Sequence, residues 1–101
     1  MAKWADFGIF RVKYHRERTA IQEVEVRPDL GETFGNPQKV GRLDIVAAIE
    51  RGQTFVTVYS RNGNSTKWED VRVVVVHGQK YIRTDRDAIK ADNLGSLPEY
   101  V

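Results

Sequence analysis

Apolar and polar residues alternate along the first third of this chain. From Phe7 to His15 the even positions Phe10, Val12 and Tyr14 are apolar, while the odd positions Arg11, Lys13 and His15 are basic. A period of two is that of a strand with one wet face. Arg16-Glu17-Arg18-Thr19 is polar and reads as a turn. A second strand runs from Ala20 to Arg27, with Val24 and Val26 on one face and Glu23 and Glu25 on the other. Pro28, which lacks an amide N–H, ends it. Paired as a hairpin, the two strands have a register that suits both faces. His15 falls opposite Ile21, Val12 opposite Val24 and Phe10 opposite Val26, while Lys13 meets Glu23 and Arg11 meets Glu25.

The alternation stops at Val73–Val76, four valines in a row. Such a run predicts a strand covered on both faces, and β-branched side chains suit a pleated surface. Gly78 permits a tight turn and Tyr81-Ile82 starts a return strand. This pattern predicts a central hairpin over Asp70–Asp85. Between the two hairpins, Asp29–Gly41 holds three glycines and a proline and reads as an irregular loop, with Phe34 tucked into the core. Arg42–Arg51 is the helix candidate: Leu43, Val46 and Ile49 recur at spacing three, flanked by Ile45 and Ala48. Gly52 stands where a left-handed C-cap belongs. At about three turns, such a helix is marginal alone and must pack on a sheet. Thr54–Ser60 reads as a third strand and Arg61–Ser65 as a turn. The expected order is β-β-α-β-β-β. The fold class is α+β, with a five-stranded antiparallel, strongly bent sheet whose closure into a small barrel stays open. Residues 1–101 form a single domain, with 86–101 an irregular tail packed on the body.

Composition narrows the chemistry. A chain of 101 residues with 41% hydrophobic content folds around one core. With no cysteine, disulfides, thiolate metal sites and cysteine nucleophiles are excluded. The opening residues lack the apolar core of a signal peptide and no window suits a membrane span, so a cytoplasmic protein is expected. The net charge is only +2: residues 1–50 hold eight Lys/Arg and eight Asp/Glu, and residues 51–101 hold eight and six. A pI near 9.0 is therefore a weak pointer to nucleic acid.

Several stretches carry a resemblance. The chain opens Lys3-Trp4-Ala5-Asp6, carries Ile45-Val46-Ala47-Ala48-Ile49-Glu50-Arg51-Gly52-Gln53-Thr54-Phe55-Val56-Thr57, and closes with Tyr81-Ile82-Arg83-Thr84-Asp85 and Asp92-Asn93-Leu94-Gly95-Ser96-Leu97-Pro98. In these it resembles a family of small bacterial proteins of unknown function. It departs from the family pattern at His77-Gly78, where Asp-Gly is expected between the last two strands. The resemblance implies no activity and no cofactor.

Candidate chemistry rests on individual side chains. No G-x-S-x-G elbow, H-E-x-x-H or P-loop is present, so no catalytic residue is assigned. Asp85-Arg86-Asp87 with Asp92 echoes a calcium loop, but the D-x-D-x-D-G run is missing and no metal is expected. Arg11 and Lys13 on one strand face, with Arg16 and Arg18 in the adjacent turn, form a basic strip that could contact phosphates. The plainer reading is that Glu23 and Glu25 neutralise it. Trp4, Trp68 and Tyr100 lie near ends and turns. Beside positive charge, as in Lys67-Trp68, an aromatic can stack on bases, or it can simply cover the core. Arg83, Asp85 and Asp92 could frame a small-ligand or enzymatic pocket, or belong to an ordered C-terminal cap. The leading expectation is a non-catalytic binding or interaction module, touching nucleic acid or a protein partner through Arg11, Lys13, Arg16, Arg18 and Trp68, with no cofactor and no membrane. The alternative is the pocket at Arg83, Asp85 and Asp92.

Overall fold

A computed structural model describes residues 5–15, 20–31, 33–61, 64–84, 94 and 97–100, with backbone alone at 60–61, 64–65, 67 and 68. The elements are β1 (Phe7–Tyr14), β2 (Ile21–Pro28), β3 (Gln38–Gly41), α1 (Arg42–Glu50), β4 (Phe55–Arg61), β5 (Asn64–Asp70), β6 (Arg72–Val76) and β7 (Gln79–Arg83). The class is α+β, but the sheet differs from expectation. Five strands pair in the order β3-β2-β1-β4-β5, and β6-β7 form a separate sheet. The large sheet is mixed, because β1 and β4 run parallel, and it is open and not a barrel, because its edge strands β3 and β5 do not pair with each other. The helix makes this so. A tight turn can only reverse the chain, whereas a crossover through a helix brings it back in the same direction. Asp6 and Thr54 fasten the start of that parallel pair. The Asp6 carboxylate accepts the Thr54 N–H at 2.9 Å, and the Asp6 N–H donates to the Thr54 hydroxyl at 2.9 Å. Phe7 stacks on Phe55 next to them, with ring centroids 5.1 Å apart.

The β1–β2 hairpin forms with the predicted register at its centre: Arg11 opposite Glu25, Val12 opposite Val24, Lys13 opposite Glu23. Its ends differ. Ile9, not Phe10, faces Val26, and Tyr14, not His15, faces Ile21. Each end carries one extra residue, Phe10 in β1 and Gln22 in β2, and an inserted residue switches the facing of the strand beyond it. Ile9 and Val12 therefore point into the same core despite a spacing of three, and Phe10 turns to the opposite face.

That core is the layer between one face of the sheet and α1 with the β6–β7 hairpin. It comprises Ile9, Val12, Ile21, Val24, Val26, Phe55, Ile45, Val46, Ala48, Val71 and Ile82, together with Leu94 and Leu97. Each fully buried Val, Leu or Ile contributes about 1.5–3 kcal/mol of transfer free energy. The helix ends as predicted: Gly52 has φ +98°, its N–H donates to the Ile49 carbonyl, and the Gln53 N–H reaches Ala48. Its apolar stripe is corrected at the first turn, where Leu43 is 72% exposed. The helix leaves straight from the edge strand β3, so its first turn lies at the rim of the sheet.

The valine run is also corrected. β6–β7 forms a two-stranded sheet of its own instead of the centre of the large one, and its faces are covered only in part: Ile82 and Val76, which register and alternation place on opposite faces, are both buried, while Val75 is 60% exposed. The turn at His77-Gly78 has φ of +50° and +79°, the two positive values of a two-residue type I′ hairpin. Glu50 holds Lys80 at 2.6 Å, and Arg42 donates to the Lys80 carbonyl and lies over the Tyr81 ring, so helix and hairpin are tied together. Two strands were not expected. β3 lies in the stretch read as a loop, and β5 begins inside the stretch read as a turn. In β5 a register shift falls opposite Thr57, whose buried hydroxyl accepts the Glu69 N–H at 3.1 Å. Residues 98–100 finish the fold. The Val12 N–H donates to the Pro98 carbonyl, and the Tyr100 N–H donates to the Val12 carbonyl, each at 3.0 Å. They occupy the edge of β1 beyond Ile9, where its pairing with β4 ends.

Candidate functional site

One face of the large sheet carries the helix, and the other is polar. The alternation of β1, β2 and β3 sends Arg11 and Lys13, then Glu23, Glu25 and Arg27, then Lys39 to that second face. Arg11, Glu25 and Lys39 form one row across three strands, since Glu25 pairs with both of the others. Tyr100 lies across this row. Arg11 sits over its ring at 5.5 Å, Lys39 at 5.1 Å, and its hydroxyl donates to Glu23 at 3.3 Å. The ring thus stands between the cation of β1 and that of β3. Beyond it, Phe10 meets Phe34 edge-on at 4.9 Å, and Val56 and Val58 complete a small apolar cluster.

Glu25 is the electrostatic centre of the face. It is 6% exposed and takes Arg11 at 2.6 Å on one oxygen and Arg27 at 3.7 Å on the other. The hydrogen bond from Arg11 holds its carboxyl below the ordinary value of 4.5, against the opposing effect of burial, with the nearby charges of Arg11 and Arg27 adding to the shift. The same hydrogen bond raises Arg11. Burial pushes the Tyr100 phenol up to about 12, aided by Glu23 and Glu25. Arg27 is only partly satisfied. Its guanidinium rests over the Phe10 ring at 4.8 Å, and its buried Nε has no hydrogen-bond partner among the described residues. Among the described residues, these four cations face two carboxylates, and one carboxylate serves two arginines.

The structure thus places Arg11 and Lys13 together, each opposite the glutamate expected from the register. Arg16 and Arg18 lie outside the described residues, as do Asp85 and Asp92. Trp68 is in β5, but its side chain is not described. Arg83 is 3% exposed, at the end of β7 opposite Arg72. Sequence reasoning missed Arg27 and Lys39. Arg27 continues the Glu23–Glu25 alternation and could have been read there. Lys39 sits among glycines and a proline, with no strand signal of its own. An open cleft of about 430 Å³ lies elsewhere, between His15, residues 20–22 and the start of α1, and none of the described candidate residues lines it. Among the described residues no group of three His, Asp or Glu side chains could hold a metal ion. No helix among them is long and apolar enough to cross a membrane.

A family model described as a protein of unknown function (DUF3892) matches residues 8–98. The chain belongs to this family. No curated protein and no solved structure matches it. In this DUF3892 domain, Arg11, Lys13, Arg27 and Lys39 fall inside the matched span, while Tyr100 lies two residues past its end. The opening and the helix-strand stretches noted in the sequence meet through Asp6 and Thr54, a structural contact at the base of β1 and β4.

Proposed function

We propose that this domain is a non-catalytic interaction module whose open sheet face binds the phosphate backbone of a nucleic acid. The observation that supports the reading is the charge arrangement of β1, β2 and β3. Arg11, Lys13, Arg27 and Lys39 share one face with Glu23 and Glu25 opposing them, and Arg27 is incompletely satisfied among the described residues. Sequence-independent phosphate contacts need several cations on a surface that the backbone can follow, and little else. Three strands about 4.8 Å apart spread these cations over a strip about 10 Å wide, suited to one strand of nucleic acid.

The test is a titration of the domain with mixed-sequence single-stranded DNA and RNA, followed by amide chemical shifts at about 50 mM salt, where phosphate contacts are strong. The expected result is shifts concentrated in β1, β2 and β3 and in the residues 98–100 that lie across them. With up to four phosphates engaged, log K should fall against log salt with a slope of about −2 to −3. An unchanged spectrum at low salt would refute the reading and turn attention to a protein partner.

A further inference from the structure

We infer that residues 98–100 act as a built-in competitor for the open sheet face, so that a bound polyanion must displace Tyr100. The inference rests on the proposed function and concerns the same site. Tyr100 is held from both sides of the β1–β3 row, under Arg11 and Lys39, with its hydroxyl on Glu23. A ring engaged in this way is not a vacant stacking platform, because a base would have to replace the cations that lie over it. It also occupies the space between two of the four cations, where a phosphate bridging β1 and β3 would sit.

The anchoring of this segment is light. Leu97 is 5% exposed, whereas Pro98 and Glu99 after it are exposed. Between Leu97 and the ring, the described backbone attachment consists of the two hydrogen bonds to Val12. Those bonds lie on the edge of β1 that β4 has already left. Opening there disturbs neither the β1–β2 pairing nor the core, so it fits a local opening of low free energy. Displacement would release Arg11 and Lys39 from the ring and Glu23 from the hydroxyl. A ligand that binds only the open form is weakened by the closed fraction, and removing the competitor restores that affinity.

The experiment compares the wild-type chain with Tyr100→Ala and Tyr100→Phe, using a fluorescent single-stranded DNA of mixed sequence at low salt. Hydrogen exchange of the Tyr100 and Val12 amides is measured with and without the DNA. Tyr100→Ala should bind about threefold to tenfold more tightly, as expected for a closed fraction of about 70–90%, and Tyr100→Phe should fall in between. In the wild type, DNA should speed exchange at both amides. Equal or weaker binding by the variants, with slower exchange on adding DNA, would overturn the inference and make Tyr100 part of the bound surface, leaving the proposed function intact. If neither wild type nor variants bind, the proposed function falls and takes the competitor with it. Should Tyr100→Ala fail to fold, Tyr100→Phe and the wild-type exchange rates decide.

Discussion

Replacing Glu25 by glutamine keeps the shape of the side chain and removes the charge that two arginines share. Breaking a fully buried ion pair costs about 3–5 kcal/mol, whereas an exposed pair is worth about 0–1 kcal/mol. Glu25 lies between these limits: its side chain is 7% exposed, but those of Arg11 and Arg27 are 48% and 36% exposed and can recover water. The amide oxygen also still accepts the 2.6 Å hydrogen bond from Arg11. The expected loss for Glu25→Gln is about 1–2 kcal/mol, or about 5–10 °C in melting temperature for a chain of this size. The pH dependence identifies the cause. Because the folded-state value of Glu25 is lowered, its contribution is present above the unfolded value of 4.5 and is lost as pH falls through the lower folded value. Wild type and variant should therefore converge in stability well below pH 4.5. Binding should move the opposite way. The face would then oppose its four cations with one carboxylate instead of two, and affinity for single-stranded DNA should rise. The assays are denaturant unfolding from neutral to acid pH and a DNA titration at fixed salt. A stability gap that persists unchanged in acid would show that the carboxylate charge is not what holds the two arginines. Tighter folding together with weaker DNA binding would refute the whole electrostatic account of the face.

Other expected outcomes concern single contacts. A Cβ added at Gly8 would lie 2.7 Å from a Val58 methyl and 2.8 Å from the Phe34 ring, so Gly8→Ala should lose about 1–3 kcal/mol by overpacking, read by urea unfolding. Leu43→Lys, at a helix position 72% exposed, should change stability by no more than about 0.5 kcal/mol; a loss above about 2 kcal/mol would mean that this leucine is buried. Alkaline absorbance titration should show one of the four tyrosines ionising later than the ordinary value of 10, and Tyr100→Phe should remove that component. Since burial raises the Tyr100 phenol, its contribution to stability is present below pH 10 and is lost as pH rises toward 12. Lys13→Ala and Lys39→Ala should each reduce the salt slope of DNA binding by about 0.7, and an unchanged slope would place the ligand elsewhere.

Local physics determined much of this protein. Alternation at period two and opposite charges at matching offsets placed Arg11 against Glu25 and Lys13 against Glu23, because side chains across a ladder must agree on both faces. The helix over Arg42–Glu50 and its glycine stop were also legible, since both depend on residues within a few positions of one another. Tertiary structure decided the rest. Phe10 reads as a core residue in register with Val12, yet the inserted residue in β1 turns it to the opposite face, and no pattern within β1 reveals an insertion set by pairing with β2. β3 and β5 are edge strands whose polar residues need no apolar alternation, so they become strands only when a neighbour supplies the ladder. Val73–Val76 looks central because it is apolar, but its hairpin forms a separate two-stranded sheet, and what packs against that sheet leaves Val76 buried and Val75 exposed. The polar face was half visible. Arg11 and Lys13 emerge from one strand's alternation, whereas Lys39 and Tyr100 join them through pairings between residues far apart in the chain, which sequence periodicity does not encode.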